Sequence, residues 1–205
     1  SGSSVHPVST AAGGSRTCRP SGRAVRIRCS RIPGISRTTD TGLTGLAGTV
    51  VVVGTPLFSD GFEVSEWNGR WVEDSQNDWF RATDQKSEGS YSAAVRGRAA
   101  DATLTMKNSV DLSPYSGAIL IFKSHTLGLD SGEYVARDVF SNGSWHQNVK
   151  LLYTSIGYAL DYWNREAVDL SDYLSNDFKI RFRGRMDWSG EIGYVDDVWI
   201  LGFGT

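Results

Sequence analysis

The chain has 205 residues, a formal net charge of −2, 40% hydrophobic and 11% aromatic residues, and 23 glycines. That length allows one β domain with an extension, or two small domains, and the near-neutral balance offers no basis for a nucleic-acid partner. No run approaches the roughly 18 apolar residues that would span a membrane, and seven Trp with eight each of Tyr and Phe favour strands over helices.

Residues 1–48 lack aromatics and carry Arg16, Arg19, Arg23, Arg26, Arg28, Arg31 and Arg37 against Asp40 alone, so the remainder of the chain is acidic. Such a segment cannot build a core by itself, and a basic arm is attracted to the acidic body of its own chain or of a neighbour. Cys18 and Cys29, the two cysteines, both lie in this arm. Their short loop predicts a disulfide and an oxidising compartment, contributing ~3 kcal/mol in the chain-entropy view; free thiols are the alternative. Val25–Arg28 or Val50–Val53 has the character of a strand that could add to a neighbour's sheet edge. A head-to-tail contact of that kind builds a homopolymeric filament or open array.

From residue 49 the pattern changes to short apolar or alternating runs between turns. Ala102–Lys107 alternates with Ala, Leu and Met on one face, and Ala118–Phe122 reads as a fully buried strand. Tyr134–Phe140 and Val149–Tyr153 read as a hairpin around Ser141-Asn142-Gly143-Ser144, because Asn-Gly accepts positive φ at both turn positions. Val168–Leu174 reads as a short helical turn or a loop. Phe178-Lys179-Ile180-Arg181-Phe182-Arg183 is the cleanest alternation. Trp79, Trp188 and Trp199 are expected in the core. Many short strands with close turns predict an all-β, two-sheet antiparallel jelly-roll sandwich over residues 49–205, preceded by the extended arm of residues 1–48.

The final run, Tyr194-Val195-Asp196-Asp197 leading into Val198-Trp199-Ile200-Leu201, reads as a strand with adjacent carboxylates. Strict alternation puts Tyr194, Asp196, Val198 and Ile200 on one face and Val195, Asp197, Trp199 and Leu201 on the other. A carboxylate then lies beside the core, where it needs a partner. A hard cation such as Ca²⁺, bound by carboxylate and carbonyl oxygens, fits the requirement; the alternatives are loop N–H groups or an Arg.

The ordered set Leu57-Phe58-Ser59-Asp60-Gly61-Phe62-Glu63, Trp71, Asp78–Arg81, Glu88–Ala93, Ser131–Val135, Asn142–Trp145, Val168–Ser171, Phe178–Phe182 and Gly193–Val198 resembles the MAM-like and carbohydrate-binding-like jelly rolls of secreted bacterial proteins, over roughly residues 56–203. The resemblance implies a secreted or cell-surface accessory or adhesive module. It also implies a structural calcium shared by Glu63 and Asp196, with Asp60 and Asp197 as second choices and carbonyls near Ser87–Ser90 completing the shell.

Two constellations bear on ligands. Lys179, Arg181, Arg183 and Arg185 project from one face if Phe178, Ile180 and Phe182 face the core; Arg can grip carboxylate or sulfate groups, or pair with acids on neighbouring strands. Trp145, Tyr153, Tyr158, Tyr162 and Trp163 offer rings that could stack on a sugar. No HExxH, GxSxG or Walker loop is present, and His6, His125 and His146 have no evident catalytic partner. The expected function is non-catalytic adhesion or carbohydrate binding, with a glycan or cell-surface polysaccharide as partner and Arg181, Arg183, Tyr162 and Trp163 as ligand contacts. The alternative is a self-assembling filament built through the arm.

Overall fold

The computed structural model describes residues 54–65, 67–152 and 162–204. The basic arm, the expected Cys18–Cys29 disulfide, the Val50–Val53 run, Tyr153 and Tyr158 lie outside the described residues. The strands are β1 (Thr55–Asp60), β2 (Trp71–Glu73), β3 (Trp79–Ala82), β4 (Ser92–Arg96), β5 (Ala100–Met106), β6 (Gly117–Leu127), β7 (Tyr134–Ser141), β8 (Ser144–Leu152), β9 (Asn164–Asp169), β10 (Lys179–Arg185) and β11 (Ile192–Phe203), with one 3-10 turn at Ser171–Tyr173. They form two antiparallel sheets. A six-stranded sheet runs β3-β4-β11-β6-β9, with β1 also paired to β11; a five-stranded sheet runs β2-β5-β10-β7-β8. This is the jelly-roll sandwich that the alternation predicted.

The sequence dictates the inner layer directly. Ala102, Leu104 and Met106 of β5, and Phe178, Ile180 and Phe182 in and before β10, are all within 2% of complete burial. Phe182 joins the sheets: its ring centroid lies 5.6 Å from Trp71, 6.3 Å from Trp79 and 5.6 Å from Phe122. Burying one such side chain is worth about 1.5–3 kcal/mol. The β7–β8 hairpin turns at Asn142 (φ 49°) and Gly143 (φ 76°), as Asn-Gly requires.

The structure corrects three expectations. Strict alternation fails in β11: Val195, Val198 and Ile200 all join the core. The ladder slips between Asp196 and Trp199, and Asp197 takes φ 51°, so a bulge switches the parity. Trp188, expected inside, is 63% exposed, whereas Trp79 is buried. The Val168–Leu174 stretch divides between the end of β9 and the 3-10 turn. Asn164–Asp169 is an edge strand on β6 whose polar composition hid it.

Candidate functional site

Glu63 and Asp196 both close on one loop. Along one edge of β11, β4 pairs with residues 192–195 and β1 with residues 198–202, so the two strands lie end to end with Asp196 and Asp197 at their junction. The loop before β4 reaches this junction. Asp196 Oδ2 accepts the N–H groups of Ser87 (2.9 Å) and Glu88 (3.1 Å), and its Oδ1 accepts the Asp197 N–H (2.7 Å). Glu63 Oε1 accepts from Ser90 (3.0 Å) and Tyr91 (2.9 Å). Asp60 accepts from Phe62 N–H and from the Trp71 indole. Asp197 accepts from the Trp199 indole at 2.7 Å and pairs with Lys123 at 3.5 Å.

This donor set decides how the carboxylates are used. Asp60, Glu63 and Asp197 do share the wall of one depression of about 180 Å³. The segment expected to turn carbonyls toward them turns amides instead. Calcium takes about six to eight oxygens, and here the oxygens already face positively polarised N–H groups. The residues as arranged do not fit calcium. They form a hydrogen-bonded latch that joins the start of the domain, the loop before β4 and the last strand. Asp196 is 1% exposed, and burial pushes its carboxyl up to about 6 against the pull of its three backbone donors.

The outer face of the five-stranded sheet holds a second network. Three bulge residues of left-handed φ shape this face and the latch: Asp101 (63°), Asn148 (57°) and Asp197 (51°). The first two aim at Arg183. Its Nε bonds to Asp138 (3.0 Å), Nη1 to Asp101 (2.7 Å) and the Tyr134 hydroxyl (2.6 Å), and Nη2 to Asn148 (2.6 Å) and Asp138 (3.4 Å). All five N–H donors are engaged, so Arg183 organises the face and has none to spare for a ligand. Asp138 is fully buried and also takes Arg181 Nε at 2.7 Å and Asn148 N–H at 2.9 Å. Despite burial, these donors hold its carboxyl below the usual range.

Arg181 differs from Arg183. Its Nε is committed to Asp138, and its guanidinium lies 4.2 Å from the ring centroid of Trp145. Trp145 is half-buried and packs against Phe140 at 5.3 Å. The turn before it is fixed by Asp177, which accepts the Asn142 (2.9 Å) and Gly143 (2.8 Å) N–H groups. Phe140, Lys179 and Trp145 lie in one cross-strand row. Trp145 belonged to the aromatic cluster noted in the sequence, but its partnership with Arg181 was not foreseen.

Tyr162 and Trp163 are not part of this surface. Trp163 packs on the six-stranded sheet, 5.7 Å from His125 and 6.2 Å from Tyr194; Tyr162 is 56% exposed. Arg181 and Arg183 therefore lie on one sheet and Trp163 against the other, with Tyr162 exposed just ahead of β9.

No family model and no curated protein matches the chain. Solved structures do share the fold. The CBM22-1 xylan-binding domain from Paenibacillus barcinonensis is 13% identical, with a TM-score of 0.51 over 74% of this chain and 97% of that one. The C-terminal family 22 carbohydrate binding module of a Clostridium thermocellum protein is 15% identical, with a TM-score of 0.53 over 73% and 94%. The K1 cleaved adhesin domain of Lys-gingipain from Porphyromonas gingivalis is 19% identical, with a TM-score of 0.50 over 74% and 100%. The likeness is one of architecture: a β-sandwich of the kind used by carbohydrate-binding modules and adhesin domains.

Proposed function

We propose that residues 54–204 form a non-catalytic carbohydrate-binding module of a secreted or surface-exposed protein, and that it binds through the outer face of the five-stranded sheet. One observation carries this reading. Arg181 is held by a fully buried Asp138 while its guanidinium lies over one face of Trp145, which presets a ring and a planar donor group in contact with each other. Sugars are recognised by such pairs: the ring covers the apolar C–H face and the donors take the hydroxyls. Preorganisation limits the entropy lost on binding. The shared architecture with xylan-binding and adhesin domains supports the reading without naming the glycan. The MAM-like relationship rests on the ordered sequence motifs alone. Among the described residues no helix is long and apolar enough to cross a membrane.

Calorimetric titration with xylan, galactan and polygalacturonate tests the proposal. Binding to at least one, weakened about tenfold or more by Trp145→Ala with an unchanged melting curve, is expected. Failure to bind any, or binding that Trp145→Ala and Arg181→Ala both leave unchanged, overturns it.

A further inference from the structure

A second surface lies at one end of the sandwich, away from Trp145. A cavity of about 410 Å³ opens there, with Arg98, Asp101, Glu133, Arg185 and Asp187 among its walls. Beside Asp187 stands Trp188, the exposed tryptophan that the sequence placed in the core. Its ring lies against Gly190, where a Cβ would overlap the indole. One face of the ring is thus backed by main chain, and the side chain remains 63% exposed.

An exposed Trp on a loose loop would be unremarked, but this loop is pinned from beneath. Glu133 and Glu191 are 4% and 3% exposed. Glu191 accepts the N–H groups of Asp187 (3.1 Å) and Trp188 (2.7 Å), and Glu133 accepts those of Asp187 (2.8 Å) and Asp130 (2.7 Å). Asp130, Glu133 and Glu191 bring carboxylate oxygens within 4.8 Å of one another. Burial, followed by the hydrogen bond that protonated Glu191 can donate to Glu133, raises the Glu191 carboxyl. The acids thus serve to hold the β10–β11 loop that carries Trp188. A rigid indole held 63% exposed next to a cavity-lining residue offers an apolar ring face that a ligand in the cavity can cover.

The walls define that ligand further. Arg98 and Arg185 are exposed donors, Arg185 lying 3.6 Å from Asp101; Asp101, which also accepts from Arg183 and Tyr134, and Asp187 are acceptors of opposite charge on the same rim. An anion would meet Asp101, Asp187 and Glu133, and a cation would meet both arginines. A group of neutral hydroxyls, each able to donate and accept, suits both. A cavity of this size falls at the lower end of small-ligand sites. We infer that this end pocket is a separate subsite for a neutral sugar residue, with Trp188 as its stacking platform and Arg98, Arg185, Asp101 and Asp187 as its hydroxyl partners. It rests on the same class of ligand as the Trp145 face and touches that face's network through Asp101, which also holds Arg183, but its stacking ring is its own, so either site can fail alone.

The seven indole N–H signals of the ¹⁵N-labelled whole chain provide the test, with the Trp188 signal identified by its loss in Trp188→Ala. Titration with methyl β-xyloside, methyl β-galactoside and xylohexaose should shift the Trp188 signal, and the shift should persist in Trp145→Ala. Arg98→Ala should weaken the response about tenfold. The exposed Trp188→Ala variant should melt like the parent while losing the response of the Asp187–Glu191 amides. A Trp188 signal that stays still at tens of millimolar sugar while the Trp145 signal moves overturns this inference alone. If neither signal moves, the end-pocket inference is wrong, while the sheet-face reading falls only if the calorimetric titration, polygalacturonate included, also shows no binding.

Discussion

Gly89 sits directly beneath the carboxylate of Glu63, so close that a Cβ on Gly89 would overlap Oε1. Gly89 also takes φ 62°, a conformation that costs an L-residue roughly 1–2 kcal/mol. The two facts have one cause: the loop coils left-handed to turn successive N–H groups toward Asp196 and then Glu63. Gly89→Ala should therefore destabilise the domain by ~2–4 kcal/mol, combining backbone strain with a displaced carboxylate. Glu63→Ala should cost somewhat less. The double variant should be little worse than Gly89→Ala, because both changes break the same latch. Urea unfolding measures all three; additive losses would mean that Glu63 and the loop act independently.

Asp138 anchors two arginines at once. Removing it leaves Arg181 and Arg183 facing an apolar gap, and breaking a buried charge network from one side costs about 3–5 kcal/mol. Asp138→Ala should lose stability of that order. Asp138→Asn, which keeps shape and one acceptor, should lose less. A loss below ~1 kcal/mol for the alanine variant would show that Asp101 alone can hold Arg183.

How far the sequence could be read depended on whether a local rule survived its tertiary setting. Phe178–Arg183 was legible because a strand with one buried face must alternate, and nothing interrupts it. Asp101, Asn148 and Asp197 broke the rule because a bulge is a property of a strand pair and leaves only a faint mark in one chain, an Asp or Asn amid strand residues. The partners of Glu63 and Asp196 were found, since Ser87–Ser90 was expected beside them. The polarity of that loop was not, because peptide orientation depends on the φ of Gly89. Trp188 was misplaced by its residue type, although Asp187-Trp188-Ser189-Gly190 carries the composition of a turn. Arg183 reads in the sequence either as a ligand contact or as a partner for acids on neighbouring strands; the fold gives the second, with its five donors taken by Asp138, Asp101, Tyr134 and Asn148 from three other strands.

Asp196 gives the pH dependence a sign. Its carboxyl rises from the ordinary 3.8 to about 6 in the folded chain, so the folded state holds the proton more tightly than the unfolded state. Its contribution to stability is greatest below 3.8 and declines as pH rises toward about 6. Asp101 and Asp138 are shifted down, so their contribution is present above the ordinary range and is lost only as pH falls below it. Relative to Asp196→Asn, the parent should therefore lose stability between these two pH values on the way up. Urea unfolding across that window, with the Asp196 carboxyl carbon followed by NMR, checks both slope and midpoint. An opposite slope would mean that the N–H donors outweigh burial.

The same N–H donors bear on metal. If amides occupy the carboxylates of Glu63 and Asp196, added calcium has no preformed shell to enter and a chelator has nothing to remove. The melting temperature should be unchanged by millimolar calcium or by EDTA. A binding-linked rise, which follows mass action whenever a ligand prefers the native state, would show that the Ser87–Tyr91 peptides turn over to present carbonyls.

Arg137 poses the opposite problem to Arg183. It points inward from β7, is 0% exposed, and lies 4.0 Å over the Phe122 ring. One nitrogen reaches the Lys150 carbonyl at 3.4 Å, a weak contact, while Nε and Nη2 have no hydrogen-bond partner among the described residues. Burial lowers its pKa to about 9, only partly offset by the charge of Glu166. A desolvated cation–π contact is worth about 2 kcal/mol, whereas burying an ion costs several. The desolvation should win, so replacing the cation with an apolar chain of similar length should help. Arg137→Met should be neutral or stabilising by ~1–3 kcal/mol, since Met adapts to irregular space. Arg137→Ala should instead destabilise by ~2–4 kcal/mol through the cavity it leaves. Urea unfolding at neutral pH separates the two variants. If Met costs as much as Ala, the guanidinium itself, through Phe122 and Glu166, is what holds β7 against the opposite sheet.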